Sequence, residues 1–246
     1  MRKRTATKNK NNVIYFDGIK IPQLHLNINN IEPLTENQQI AFEAYSNKKN
    51  LLLHGLAGTG KTFISLYLGL NSILKRTSSY NKVTIVRSVV PTRDIGFLPG
   101  DQNDKTKIYE QPYKAICGEL FGRDDAYEVL KRHKVIDFVT TSFIRGTTIS
   151  NSVVIVDECN NMTFHELDSV ITRVGENCQI LFCGDYRQSD LSKQMEREGL
   201  RHFMTILERM GCFTHVEFNE QDILRSDLVK QYIIMKDKMG YDSKII

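Results

Sequence analysis

Several classes are excluded by what this chain lacks. Its five cysteines, Cys117, Cys159, Cys178, Cys183 and Cys212, are odd in number and include no C-x-x-C pair. Neither a disulfide framework nor a zinc ribbon can be read from them, and they are expected to be reduced cytosolic thiols, several in or beside apolar strands. The six histidines are scattered without metal-ligand spacing. No apolar run approaches membrane-spanning length. An apolar h-region of the kind that marks a signal peptide is missing from the start, and neither internal repeats nor low-complexity linkers break the sequence. The expectation is a cytoplasmic protein without membrane contact.

Positive charge is scarcer on the body than the total implies. The formal net charge is +4, yet Arg2, Lys3, Arg4, Lys8 and Lys10 supply five positive charges within the first ten residues, which leaves −1 for the rest. The basic balance belongs to a tail over residues 1–12, expected to be disordered, and does not indicate a basic groove on the fold. A length of 246 residues accommodates one substantial α/β domain, expected over 34–246, after a small N-terminal element over 13–33.

Against these absences stands one strong local pattern. Leu51-Leu52-Leu53-His54 is an apolar strand that runs into Gly55-Leu56-Ala57-Gly58-Thr59-Gly60-Lys61-Thr62, the full G-x-x-x-x-G-K-[ST] spacing, and an apolar helix follows. Glycines let a phosphate chain approach consecutive backbone N–H groups, and the helix start adds a favourable dipole. Lys61 is expected to reach the β- and γ-phosphates, and the Thr62 hydroxyl to bind the magnesium that bridges them. Downstream, Ser152-Val153-Val154-Ile155-Val156-Asp157-Glu158 reads as a buried parallel strand with two acids at its tip. Asp157 is expected to hold the hydrated magnesium and Glu158 to polarise an attacking water, which implies hydrolysis. An Asp-Glu pair after a strand is otherwise an ordinary helix-start charge cluster; its coincidence with a P-loop decides.

The rest of the chain reads as alternating elements. Val13 to Pro22 forms a hairpin turning at Asp17-Gly18. Thr35 caps a helix through about Ser46, with Ile40, Ala41, Ala44 and Tyr45 inward. The helix from Lys61 to about Lys75 is apolar nearly all round and should be buried. Strands are expected at Val83–Arg87, Val135–Thr140, Val153–Val156 and Gln179–Cys183. Helices are expected near Lys105–Phe121, Phe164–Val174, Met195–Met210 and Ser226–Lys238. Such alternation indicates a mostly parallel central sheet covered on both faces, a three-layer α/β P-loop NTPase of RecA-like type. Residues 88–112, with two prolines and two glycines over 88–101, read as an excursion loop beside the active edge.

Weaker signals fill in the site. Gln188 follows Gly184-Asp185 at a strand tip and is either a γ-phosphate sensor or part of an ordinary turn. Gln38 precedes the P-loop and is either an adenine contact or a surface glutamine. Arg225 either neutralises transition-state charge or pairs with Asp222 or Asp227. Arg87 and Arg145 fit contacts to phosphate or polynucleotide, or else structural salt bridges. No RNP aromatics and no KH-type loop are present. A P-loop kinase would need an acceptor pocket and an Arg-rich lid, and a nuclease a separate acidic metal cluster; neither is visible.

Together with Gly96-Phe97-Leu98-Pro99-Gly100-Asp101 and Lys105, Ile144-Arg145-Gly146, Asn161, Asp190-Leu191 and the stretch from Asp222 to Val229, these motifs resemble the PhoH-like proteins, in their order, over about residues 34–240. The compact form found in bacteria or phages is the nearest in outline. The resemblance implies ATP binding and hydrolysis on a fold related to the first motor domain of superfamily 1 helicases, with RNA or single-stranded DNA as partner. It implies Gln38 at the adenine, Gln188 at the γ-phosphate, and Arg225 as a finger reaching a neighbour's site in a homo-oligomer, a hexamer above all. Two departures stand out. Arg145-Gly146-Thr147-Thr148 replaces the usual Arg-Gly-Arg-Thr, and Asn160 stands where the pattern has Gln. The second function class is a nucleotide-switched assembly or scaffold protein that needs no polynucleotide.

Overall fold

The computed structural model describes residues 14–16, 19–21, 26–75, 77, 79–89, 102–186, 191 and 194–240. Strands β1 (Ile14–Phe16) and β2 (Ile19–Ile21) pair antiparallel as the expected hairpin, in a sheet of their own. Six further strands form one parallel sheet: β3 (Asn50–Gly55), β4 (Lys82–Arg87), β5 (Ile136–Thr140), β6 (Ser152–Asp157), β7 (Cys178–Gly184) and β8 (Phe213–Phe218). Their order across the sheet is β5-β4-β6-β7-β3-β8.

Strand alternation sorts the core into two layers. Leu51, Leu53, Val153 and Ile155 face one cluster, while Leu52, Val154 and Val156 face the other. A strand buried on both faces reads as a near-continuous apolar run, and every residue of β6 is buried, with Val153 to Val156 between the buried polar ends Ser152 and Asp157. The first cluster packs against α1 (Glu36–Ser46), α2 (Lys61–Leu74), α3 (Gln102–Phe121) and α4 (Ala126–Arg132). The second packs against α5 (Phe164–Ile171) and α6 (Gln194–Arg209). The result is the three-layer α/β architecture expected from the sequence.

Differences from the sequence reading have physical causes. β8 was not expected, because Thr214, His215 and Glu217 interrupt its apolar pattern. It is an edge strand, and an edge strand needs less apolar surface than a central one. Helix α4 is only seven residues long and buries Ala126, Tyr127 and Leu130. On α1, Ile40 is exposed and Gln38 is buried in its place. The expected excursion loop over 88–112 is helical from Gln102 onward; the Gly96–Asp101 segment lies outside the described residues. The final helix, α7 (Asp227–Lys238), has no buried residue.

Candidate functional site

β7 lies between the P-loop strand β3 and the acidic strand β6. The tips of all three therefore converge at one end of the sheet, with Gly184-Asp185 between the P-loop and Asp157-Glu158. A cleft of about 900 Å³ opens there. Among its walls are Gly58, Lys61, Thr62, Asp157, Glu158 and Arg225.

The P-loop is fixed from two sides. On the β8 side, the Leu56 N–H donates to Phe218 O at 3.1 Å and the Leu224 N–H donates to Gly58 O at 3.0 Å. Gly55, at φ +114°, admits this approach: a Cβ there would sit 2.1 Å from Phe218 O. On the α1 side, Gln38 Nε2 donates to Thr59 O at 3.1 Å and Gln38 Oε1 accepts from Leu34 N–H at 2.9 Å. Gln38, expected at the adenine, lines the cleft and braces α1 to the P-loop, with both ends of its amide engaged by backbone.

Lys61 donates to Gly55 O at 2.9 Å and Leu56 O at 2.7 Å. Burial lowers its pKa, opposed by Asp185, Cys183, Glu158 and Asp157. Thr62 Oγ1 donates to Asp157 Oδ1 at 2.7 Å. That pair fits a hydrated magnesium, a hard cation that takes few protein oxygens and fills its shell with phosphate and water. Among the described residues no group of three His, Cys, Asp or Glu forms a self-contained metal site.

The acidic tip is held in an uncommon conformation. Glu158 has left-handed backbone, φ 52° and ψ 40°. Such strain in a residue with a Cβ costs roughly 1–2 kcal/mol and collects at functional sites. The following 3₁₀ turn secures it: the Asn161 N–H donates to Glu158 O at 2.9 Å. Asn160 Oδ1 then accepts from the Asp185 N–H at 3.0 Å, tying the β6 tip to the β7 tip. The fit there is close, since a Cβ on Gly184 would lie 2.7 Å from that oxygen.

With phosphate loop, magnesium pair, acidic tip and strand order in place, comparison with known proteins agrees. The family model for PhoH-like protein matches residues 30–236. The chain belongs to the PhoH-like proteins. A PhoH-like protein of Bacillus subtilis is 26% identical over 238 residues, 94% of this chain and 72% of that one. A PhoH-like protein of Synechocystis is 31% identical over 180 residues, 73% of this chain but only 54% of its own length. Among solved structures, the large terminase of a thermophilic bacteriophage in complex with ADP is similar at 12% identity and a TM-score of 0.49, covering 81% of this chain and 49% of that one.

In this PhoH-like chain two arginines reach the cleft. Arg225, read as a finger for a neighbour, stands at its own P-loop: a Cβ on Gly58 would come within 2.9 Å of its Cγ. The Leu224–Gly58 hydrogen bond draws the segment before α7 against the loop and sets Arg225 there. Arg87, expected at phosphate or polynucleotide or in a salt bridge, lines the same cleft. Burial works against its charge, but Tyr113, Asp157 and Glu158 outweigh that and hold its pKa above the ordinary value. Arg145 is exposed, on the turn after β5 and apart from the cleft. Gln188 lies outside the described residues.

Tyr113 was not found from sequence. Its hydroxyl donates to Asp157 Oδ2 at 2.8 Å, and burial, then the charge of Asp157, pushes its pKa well up, which keeps it a donor. No motif spacing links it to an aspartate 44 residues away. Burial also pushes the Cys159 thiol up to about 12, which suits an unreactive structural cysteine.

Proposed function

We propose that this PhoH-like protein binds ATP with magnesium, hydrolyses it with residues of a single chain, and turns over faster on single-stranded RNA or DNA. The observation that carries the reading is the convergence of Lys61, Thr62, Asp157, Glu158 and Arg225 on one cleft. Lys61 would exchange carbonyl partners for β- and γ-phosphate oxygens, which as anions are the stronger acceptors. Glu158 would take the proton of the attacking water, and Arg225 would face the charge that develops on the γ-phosphate. Magnesium, when bound, supplies charge neutralisation across the β- and γ-phosphates. Support for a polynucleotide partner is the turn after β5, where Arg145 and Phe143 are both exposed; a cation beside an aromatic face suits a single strand.

A nucleotide-switched assembly is the second reading, favoured by one observation. Leu228, Tyr232, Met235 and Met239 recur on one face of α7 and its end, and all are exposed. A homo-oligomer, hexameric by resemblance, is the assembly in which that face would be covered. The deciding experiment is phosphate release with magnesium, with and without single-stranded RNA and DNA, against Glu158→Gln. Stimulation by a polymer that vanishes in the variant supports the motor reading. Magnesium-dependent ATP binding without stimulated turnover supports the switch.

A further inference from the structure

Asp157 accepts a hydrogen bond on each carboxylate oxygen. Thr62 serves Oδ1 and Tyr113 serves Oδ2. The χ2 torsion of an aspartate is broad, so one donor leaves the carboxylate free to swing. Two donors from opposite sides fix its plane. Tyr113 is fully buried, with its ring 5.8 Å from that of Phe138, which leaves the phenol little room to point elsewhere.

The line continues outward. The Arg87 guanidinium, at the end of β4 in register with Asp157, interacts electrostatically with Tyr113 and lies 5.8 Å from the ring centre of Tyr109. Tyr109 and Tyr113 are four apart on α3 and so share a face. Thr62, Asp157, Tyr113 and Arg87 therefore form one connected row from the first turn of α2 to α3.

We propose that Tyr113 is a positioning residue for the magnesium site, holding the Asp157 carboxylate so that Oδ1 is presented beside Thr62, and that through it α3 is tied to the occupancy of that site. This rests on the nucleotide reading above. Outer partners that orient a metal ligand are each worth on the order of 10–100-fold in metal affinity. A phenylalanine keeps the ring and its packing and removes only the hydroxyl, which isolates the term.

The test uses full-length wild type and Tyr113→Phe, titrating magnesium against binding of a fluorescent ATP analogue and repeating the titration in EDTA. The expected result is a half-saturating magnesium concentration raised about tenfold, with the effect confined to the magnesium term. In an Asp157→Asn background the same change should add less than about twofold, since the group it acts through is altered. An unchanged magnesium curve, or a lowered melting temperature without a magnesium shift, overturns the proposal. Wild type binding the analogue with no magnesium dependence would overturn the nucleotide reading itself, and the proposal with it.

Discussion

Glu158 combines a left-handed backbone with a position in the wall of the cleft that also holds Lys61 and Thr62. Replacing it with Gln keeps shape and backbone demand and removes the carboxylate proposed as the base. Turnover should fall by roughly 10²–10⁴-fold while ATP binding persists, measured by phosphate release and equilibrium binding. Turnover near wild type would assign the water to another group. Asn160 makes a second residue-scale case. The familial Gln carries one more methylene, and Asn160 is 2% exposed with its oxygen on the Asp185 amide. Asn160→Gln should overpack Gly184 and cost about 1–3 kcal/mol in chemical denaturation; an unchanged midpoint would contradict this fit. At this scale the sequence was legible where chemistry is local. Lys61 and Thr62 sit within one eight-residue pattern. Tyr113 and the bracing role of Gln38 depend on partners far along the chain, or on backbone atoms that no side-chain pattern encodes.

Among the elements, Glu166 ties three together. Its Oε1 accepts from Thr141 after β5 at 2.7 Å and from Ser88 after β4 at 2.9 Å, while Oε2 closes the capping box of α5. Burial raises its pKa, but Thr141, the Thr163 backbone, Ser88 and the Thr163 hydroxyl outweigh that and leave it below the ordinary value. A depressed carboxylate pKa gives stability that is present above the unfolded pKa and lost as pH falls through the folded one. Glu166→Gln should therefore be less stable than wild type at pH 7 by about 1–3 kcal/mol. The gap should close below about pH 4, near the unperturbed carboxylate value. A gap independent of pH would show that the charge is not the cause. β8 makes the complementary point. Its mixed composition hid it from periodicity, yet its Phe218 carbonyl anchors the P-loop. Gly55→Ala should drive a methyl group into that carbonyl and lower the melting temperature and ATP affinity together. Retained affinity at a lowered melting temperature would separate the anchor from the site.

For the whole molecule, the parallel sheet and its two helical layers followed from alternating apolar runs. Strand order did not, since it is set by crossovers rather than by any segment's composition. That order carries the functional consequence, because β7 between β3 and β6 spaces the P-loop from the acidic tip. The position of Arg225 is likewise a property of the assembled fold. The resemblance implies a neighbour's site for it, while the β8-to-α7 connection sets it beside its own P-loop.

The most direct test of a site complete within one chain is ATP turnover by mixtures of Lys61→Ala and Arg225→Ala, with wild type as the active control. Each variant removes one member of the same cleft, so the mixture should be as inactive as either variant alone. Recovery of turnover on mixing would mean that one subunit supplies Arg225 to a neighbour's Lys61, and would contradict the cis arrangement.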